Sequence, residues 1–264
     1  MSPAEPPATV EPVPGEPAAV TPVDDGRALL IADYHAGYEA ALSAERGVGV
    51  PSRARQRRDR LLGLLERTAA DRLVVLGDLM HSIGGPGGAE RGELEVLFES
   101  LPRGLGVTVV KGNHDGAIGD WLPEAAGTRE LRIVPGRGTR VGDLGVCHGH
   151  TWPSASVLGA PVVCHGHDHP SVRLTDEVGG SRTEPVWLRG RLDPAPFRAR
   201  GHDLPAGFDE RPPRLVVFPA FNELTGGTWL NVGGSFLAPF LPDGAVDVEA
   251  YLLDGTRLGP YRTI

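Results

Sequence analysis

Ala28-Leu29-Leu30-Ile31-Ala32-Asp33-Tyr34-His35 sets the reading of the whole chain: an unbroken apolar run of strand length that ends on a carboxylate and an imidazole. A run without polar alternation reads as a strand buried on both faces, as in a parallel sheet covered by helices. Outward along the chain the pattern recurs. Leu73-Val74-Val75-Leu76 runs into Gly77-Asp78, and Val107-Thr108-Val109-Val110-Lys111 runs into Gly112-Asn113-His114-Asp115. Val146-Cys147 leads to His148-Gly149-His150, and Cys164-His165 leads to Gly166-His167-Asp168-His169. Residues just past the carboxyl ends of strands converge on one crevice in an open α/β sheet, so Asp33, His35, Asp78, Asn113, His148, His167 and His169 can meet in space.

Between these segments lie helices. One is expected from about Ser52, an N-cap after Pro51, through Leu61, Leu62, Leu64 and Leu65; a second covers Glu93 to Leu101 and stops at Pro102. Beyond His169 the signal changes to short strands at Val186–Leu188, Leu215–Phe218, Trp229–Val232 and Val246–Leu253, separated by turns rich in Gly and Pro. The fold class is α/β with a layered core and a β-rich C-terminal third. Residues 193–213, dense in Pro, Arg and Gly, read as a long loop.

Residues 1–25, with repeated Pro, Ala and Glu and no apolar periodicity, read as a disordered tail before a single domain over residues 26–264. No basic start with an apolar stretch marks a secretory signal, and no run is long enough to span a bilayer, which fits a cytoplasmic protein. The net charge of −8 argues against general affinity for nucleic acid or anionic membranes, though a local basic patch overrides a net sign. Cys147 and Cys164 read as buried free thiols. The run Arg53, Arg55, Arg57, Arg58 and Arg60 reads first as a solvated helix face and second as a phosphate-binding patch.

Carboxylates, imidazoles and one amide together suit Mn²⁺, Fe²⁺, Zn²⁺ or Ni²⁺ better than Mg²⁺ or Ca²⁺. Two such ions ~4 Å apart need a bridging carboxylate, for which Asp78 is the candidate, and hold a hydroxide that attacks phosphorus. His114 would oppose charge on the phosphoryl oxygens or protonate the leaving oxygen. Three neighbours are ambiguous: His81 reads as a turn residue or a support for the site, alternation puts His165 on the side of His167 and His169, and Asp143 reads as a hairpin turn.

The ordered series Asp33-x-His35, Gly77-Asp78, Gly112-Asn113-His114-Asp115, His148-Gly149-His150 and Gly166-His167-x-His169 resembles the calcineurin-like metallophosphoesterase superfamily. Pro219-Ala220-Phe221-Asn222-Glu223-Leu224-Thr225-Gly226-Gly227 resembles a corresponding stretch in its SbcD-related archaeal phosphoesterases and the ligase-associated PdeM enzymes. The resemblance implies two packed mixed β-sheets flanked by helices. It implies one metal on Asp33, His35, Asp78 and His169, and a second on Asp78, Asn113, His148 and His167. His114 would be the catalytic histidine, oriented by Asp115, and His150 would face the substrate together with Asn113 and His114.

The leading expectation is a Mn²⁺-dependent phosphodiesterase acting on a nucleotide or on nucleic acid such as DNA ends. The chain beyond His169 must complete the second sheet, which leaves little room for an added DNA-capping domain and favours a small or distributive substrate. A phosphomonoesterase acting on a nucleotide, sugar phosphate or phosphoprotein is the alternative within the same chemistry. A non-catalytic scaffold of this fold would be expected to have lost ligands or His114, and all are present.

Overall fold

The apolar run that opens the argument becomes a parallel strand at the centre of a sheet. A computed structural model of the chain describes residues 9–24, 26–233 and 235–264. The first sheet has the order β1-β2-β3-β4-β5-β6, from β1 (Glu11–Pro12), β2 (Ala18–Val23), β3 (Gly26–Ile31), β4 (Arg72–Val75), β5 (Gly106–Val110) and β6 (Leu131–Val134). β3 to β6 run parallel, and β1 and β2 add antiparallel strands at the β3 edge. Leu29 and Ile31 face the helices, whereas Ala28, Leu30 and Ala32 face the second sheet, so both sides are buried and the lack of alternation is explained.

The helices α1 (Tyr38–Arg46), α2 (Ala54–Thr68), α3 (Gly88–Ser100) and α4 (Ile118–Ala126) follow the ligand segments of this half. α2 buries Leu61, Leu64 and Leu65, and α3 buries Leu94, Leu97 and Phe98, three and four apart, which gives each its core face. α3 begins earlier than its apolar pattern, where the Glu90 carboxylate reaches back to accept from the Gly87 amide at 3.3 Å and satisfies one free donor of the helix start.

The second sheet runs β13-β10-β11-β12-β9-β8-β7, from β7 (Thr139–Val141), β8 (Leu144–Val146), β9 (Val162–His165), β10 (Pro170–Thr175), β11 (Ser181–Leu192), β12 (Arg214–Val217) and β13 (Thr228–Trp229); β14 (Ala245–Leu252) pairs with β11 and with β15 (Arg257–Pro260). β8, β9 and β12 are parallel, so His148 and His167 leave the sheet at the same end. The antiparallel β7–β8 hairpin turns at Gly142-Asp143, as read from the sequence. The outer face of this sheet is covered by α5 (Ala155–Leu158), α6 (Pro194–Ala199) and the loop carrying Ala238 and Phe240. Cys147 and Cys164 are buried and free.

Two expectations are corrected. Residues 9–24 are not disordered: β2 pairs with β3 along its whole length, and Ala18 and Ala19 are fully buried. Its proline hides it from a sequence reading, yet Pro22 lies beyond the two residue pairs that β1 forms, where a missing N–H costs little. Residues 1–8 and 25, also assigned to the tail, lie outside the described residues. The segment 193–213 is not a free loop. Asp193 caps α6 by accepting from the Ala195 amide, and Phe197 and Phe208 enter the core around Trp152 and Phe240.

Candidate metal centre

The five ligand segments converge where the carboxyl ends of the two sheets face each other. Among the described residues, five of the seven non-glycine residues with positive φ are candidate ligands: Asp33 at 57°, His35 at 47°, Asp78 at 48°, His167 at 68° and His169 at 43°. Left-handed backbone costs of order 1 kcal/mol or more at such residues and persists where the surrounding structure enforces it, so its concentration here marks a built site. Two glycines permit the close approach. A Cβ on Gly77 would lie 2.2 Å from Nδ1 of His148, and one on Gly112 would lie 1.9 Å from Oδ1 of Asp78.

Three clusters share this crevice, one of them made only of imidazoles, His35, His81 and His114, and two that include a carboxylate. Of these two, Asp33, His35 and His169 form one, Asp78, His148 and His167 the other, and the ligand atoms within each lie within 4.8 Å of one another. Asp78 stands between them, its Oδ2 3.7 Å from Nε2 of His35 and 3.3 Å from Nε2 of His148. Asn113 completes the second cluster, its Oδ1 3.1 Å from Nε2 of His148. Backbone carbonyls fix two of the rings. Nδ1 of His148 meets the Leu76 carbonyl at 2.8 Å and Nδ1 of His169 meets the Gly226 carbonyl at 2.8 Å, which leaves each Nε2 aimed at the carboxylates.

The charges test whether cations fit. Asp33 and Asp78 are buried, and among the described residues their ion-pair partners are all histidines, with no Arg or Lys. Burial by itself would raise both carboxyls, but His169 and His148 hold Asp33 below its ordinary range, and His148, His35 and His114 do so for Asp78. Burial works against a charged His148, yet Asp78 and Asp33 outweigh it and push its imidazole up to about 9. Burial, reinforced by neighbouring histidines, drives His35 and His167 down to about 3, so these rings are neutral bases ready to coordinate. Two buried anions compensated only by imidazoles fit divalent cations, and the nitrogen-rich donor set fits the later first-row metals.

His114 lies at the rim, its Nε2 3.9 Å from Oδ2 of Asp78, and its backbone amide donates to Oδ1 of Asp78 at 3.0 Å. Asp115 does not orient it, contrary to the sequence expectation. The Asp115 carboxylate accepts from the amides of Met80 at 2.9 Å, Gly112 at 2.8 Å and Leu79 at 3.3 Å, stapling the Asp78 turn to the Asn113 turn, and burial raises it to about 6. The partner of His114 Nδ1 is the carbonyl of His81.

His81 is more than a turn residue. Its Nδ1 lies 3.4 Å from Nδ1 of His35, its ring stacks on His114 at 5.2 Å, and Glu90 accepts from its amide. The sequence signal was its place three residues after Asp78. His150 is half-buried, its ring 5.2 Å from that of His148. His165 does not join the site: it is fully buried against Phe240, and its Nδ1 meets the Gly166 carbonyl at 2.9 Å.

Behind the site, Arg57 is buried rather than solvated. It is bidentate to Glu39 at 3.1 and 3.2 Å, bonds Glu93 at 2.7 Å and lies over the Tyr34 ring, while Glu93 accepts from the Gly37 amide at 2.9 Å. The other arginines of that run pair with Glu16, Glu223 or Asp59, so the patch carries no free cation for phosphate.

With this geometry in view, solved structures provide a comparison. The Pseudomonas putida nuclease MPE aligns with 95% of this chain and 100% of its own, with a TM-score of 0.51 and 19% identity. This chain has that nuclease's fold. The phosphoesterase Yfce from E. coli aligns with 56% of this chain and 73% of its own, with a TM-score of 0.35 and 20% identity. No family model and no curated protein sequence matches the chain. No helix among the described residues is long and apolar enough to cross a membrane.

Proposed function

We propose that this chain is a two-metal phosphodiesterase that hydrolyses a phosphodiester of nucleotide or nucleic-acid type. The carrying observation is Asp78, placed between two His/Asp clusters and within 3.7 Å of a histidine from each. On this reading Asp33, His35, Asp78 and His169 hold one ion and Asp78, Asn113, His148 and His167 the other, with Mn²⁺ favoured. Such a pair of ions supplies a water nucleophile ionised near neutral pH and positive charge for the phosphoryl oxygens.

The chain's own residues supply the rest. The carbonyl of His81 takes Nδ1–H of His114, which leaves Nε2 facing the site; protonated there, it donates to the departing oxygen. His150 and the Asn113 amide line the substrate side. The finer kinship, with SbcD-related and PdeM phosphoesterases, draws support from the segment 219–227: the amides of Phe221 and Asn222 bond the carbonyls of Ala32 and Asp33 at 2.8 and 3.2 Å, building that motif into the site wall.

The test is hydrolysis of bis-p-nitrophenyl phosphate and p-nitrophenyl phosphate by chelator-stripped protein before and after Mn²⁺, with His114→Ala as control. Mn²⁺-restored diester cleavage supports the proposal. A strong monoester preference replaces it with a phosphomonoesterase, and silence on both with metal bound replaces it with a scaffold.

A further inference from the structure

The stretch Leu131-Arg132-Ile133-Val134-Pro135-Gly136-Arg137-Gly138-Thr139-Arg140 forms β6, a turn and the start of β7, and it joins the two sheets beside the metal centre. It carries three exposed arginines and no acid. Arg132 donates to Oγ1 of Thr139 at 3.0 Å and Arg140 to the Gly159 carbonyl at 3.2 Å; the Arg137 carbonyl accepts from the Ser154 amide at 2.9 Å, while its guanidinium has no partner among the described residues. None of the three makes an ion pair among the described residues, and the preceding acid, Glu130, is engaged by Arg72 at 3.6 Å. Lys111, the single lysine, follows the neighbouring strand β5, and among the described residues its amine meets only the Gly116 carbonyl, at 2.7 Å. In a chain of net charge −8, this stretch gathers three exposed arginines within nine residues that no carboxylate among the described residues offsets.

Their position gives them a use. The Gly136 carbonyl accepts from the His148 amide at 3.3 Å, and a Cβ on Gly136 would lie 2.3 Å from Cε1 of His150 and 2.6 Å from the Lys111 carbonyl oxygen. The ridge thus begins one residue from two site histidines. At ~3.3 Å per strand residue it extends roughly 13 Å from Gly136 to Arg132, the axial rise of about four stacked nucleotides. A small diester at the metal centre does not reach that far.

We propose that this β6–β7 ridge is the surface along which a nucleic-acid strand lays the phosphates flanking the scissile one. The inference rests on the phosphodiesterase reading for its chemistry and deepens it: the substrate is a polyphosphodiester chain, held on one side of the site by Arg137 first and by Arg132 and Arg140 further out.

The experiment uses the full chain loaded with Mn²⁺, a single-stranded oligodeoxynucleotide, bis-p-nitrophenyl phosphate, and the triple variant Arg132→Gln, Arg137→Gln, Arg140→Gln. The ratio of kcat/KM for the oligonucleotide to that for the small diester should fall roughly tenfold or more through KM, and the slope of log kcat/KM against log salt should flatten by about 2, as expected for three lost contacts to a single strand. Arg53→Gln, which removes a paired charge, should leave both quantities unmoved. An unchanged ratio and slope in the triple variant, with the small diester still cleaved, overturns the ridge. If neither substrate is cleaved by the wild type, the phosphodiesterase reading falls on its own. Equilibrium anisotropy with the labelled oligonucleotide then decides the ridge: weaker, less salt-sensitive binding by the triple variant upholds it, and equal binding overturns it.

Discussion

The backbone amide of His167 donates to both oxygens of Asp33, at 3.0 and 3.3 Å, fastening the last ligand segment to the first. The same carboxylate receives Nε2 of His169 at 3.2 Å. Asp33 therefore has two tasks, one needing only an acceptor and the other needing charge, and substitution separates them.

Asp33→Asn keeps an oxygen for the His167 amide but removes the anion. The expected outcome is a folded protein that retains one Mn²⁺ where the wild type holds a pair, checked by metal analysis after gel filtration alongside far-ultraviolet circular dichroism. Full metal content in that variant would remove Asp33 from the ligand set.

His114→Ala keeps the backbone amide that holds Asp78 and loses only the ring. Metal content should be unchanged, while kcat on the diester falls by about two to four orders of magnitude, the scale of a lost general acid or charge stabiliser. Single-turnover kinetics on metal-saturated protein read this directly, and a wild-type rate would clear His114 of the role.

For His81, two isosteres distinguish the ring atoms. Asparagine places a polar atom near the position of Nδ1, which faces His35, whereas glutamine imitates Nε2. Mn²⁺ titrations should give near-native affinity for His81→Asn and a loss of about 10–100-fold for His81→Gln and His81→Ala, the usual cost of removing the partner of a ligating histidine. Equal affinities in all three would reduce His81 to a packing residue.

Behind the metal centre, Arg57→Ala would strand Glu39 and Glu93 as buried charges, at a cost of about 3–5 kcal/mol of stability. The pH dependence has a definite sign. Burial raises the Glu39 carboxyl, but Arg57 and the Arg53 amide reverse this and hold it below its ordinary range. Its contribution is then complete above the ordinary carboxylate range and fades as pH falls through the depressed value. The Tm gap between wild type and Glu39→Gln should accordingly be widest near neutrality and close on acidification; a gap independent of pH would refute the ion-pair origin.

Much of this was legible because each ligand segment follows an apolar strand, so order in the sequence encoded position at the sheet ends. Asp33, His35, Asp78, Asn113, His148, His167 and His169 all arrive in one crevice. Asp115 misled because adjacency to His114 says nothing about direction: its side chain turns inward to the Gly112 amide of its own turn and to the Leu79 and Met80 amides that only the folded Asp78 turn presents. His81 was under-read for the converse reason, since its partners His35 and Glu90 are brought to it by the turn after β3 and by α3. β2 was hidden by composition. Pro and Ala lower strand propensity, and the pairing comes from the open edge of β3, a tertiary influence outside any local window. Phe197 and Phe208 were the overlooked sign that segment 193–213 packs inward.

The N-terminal strands carry a practical warning. A proline-rich leader invites removal by anyone trimming the chain to its apparent domain, yet β2 hydrogen-bonds along the full length of β3. Cutting it away would strip one border of the parallel sheet and present bare amides and carbonyls beside Leu29 and Ile31, a template for chain-to-chain pairing. The trimmed protein should aggregate on storage, and the fault would lie in an uncovered edge rather than in the chemistry of the site.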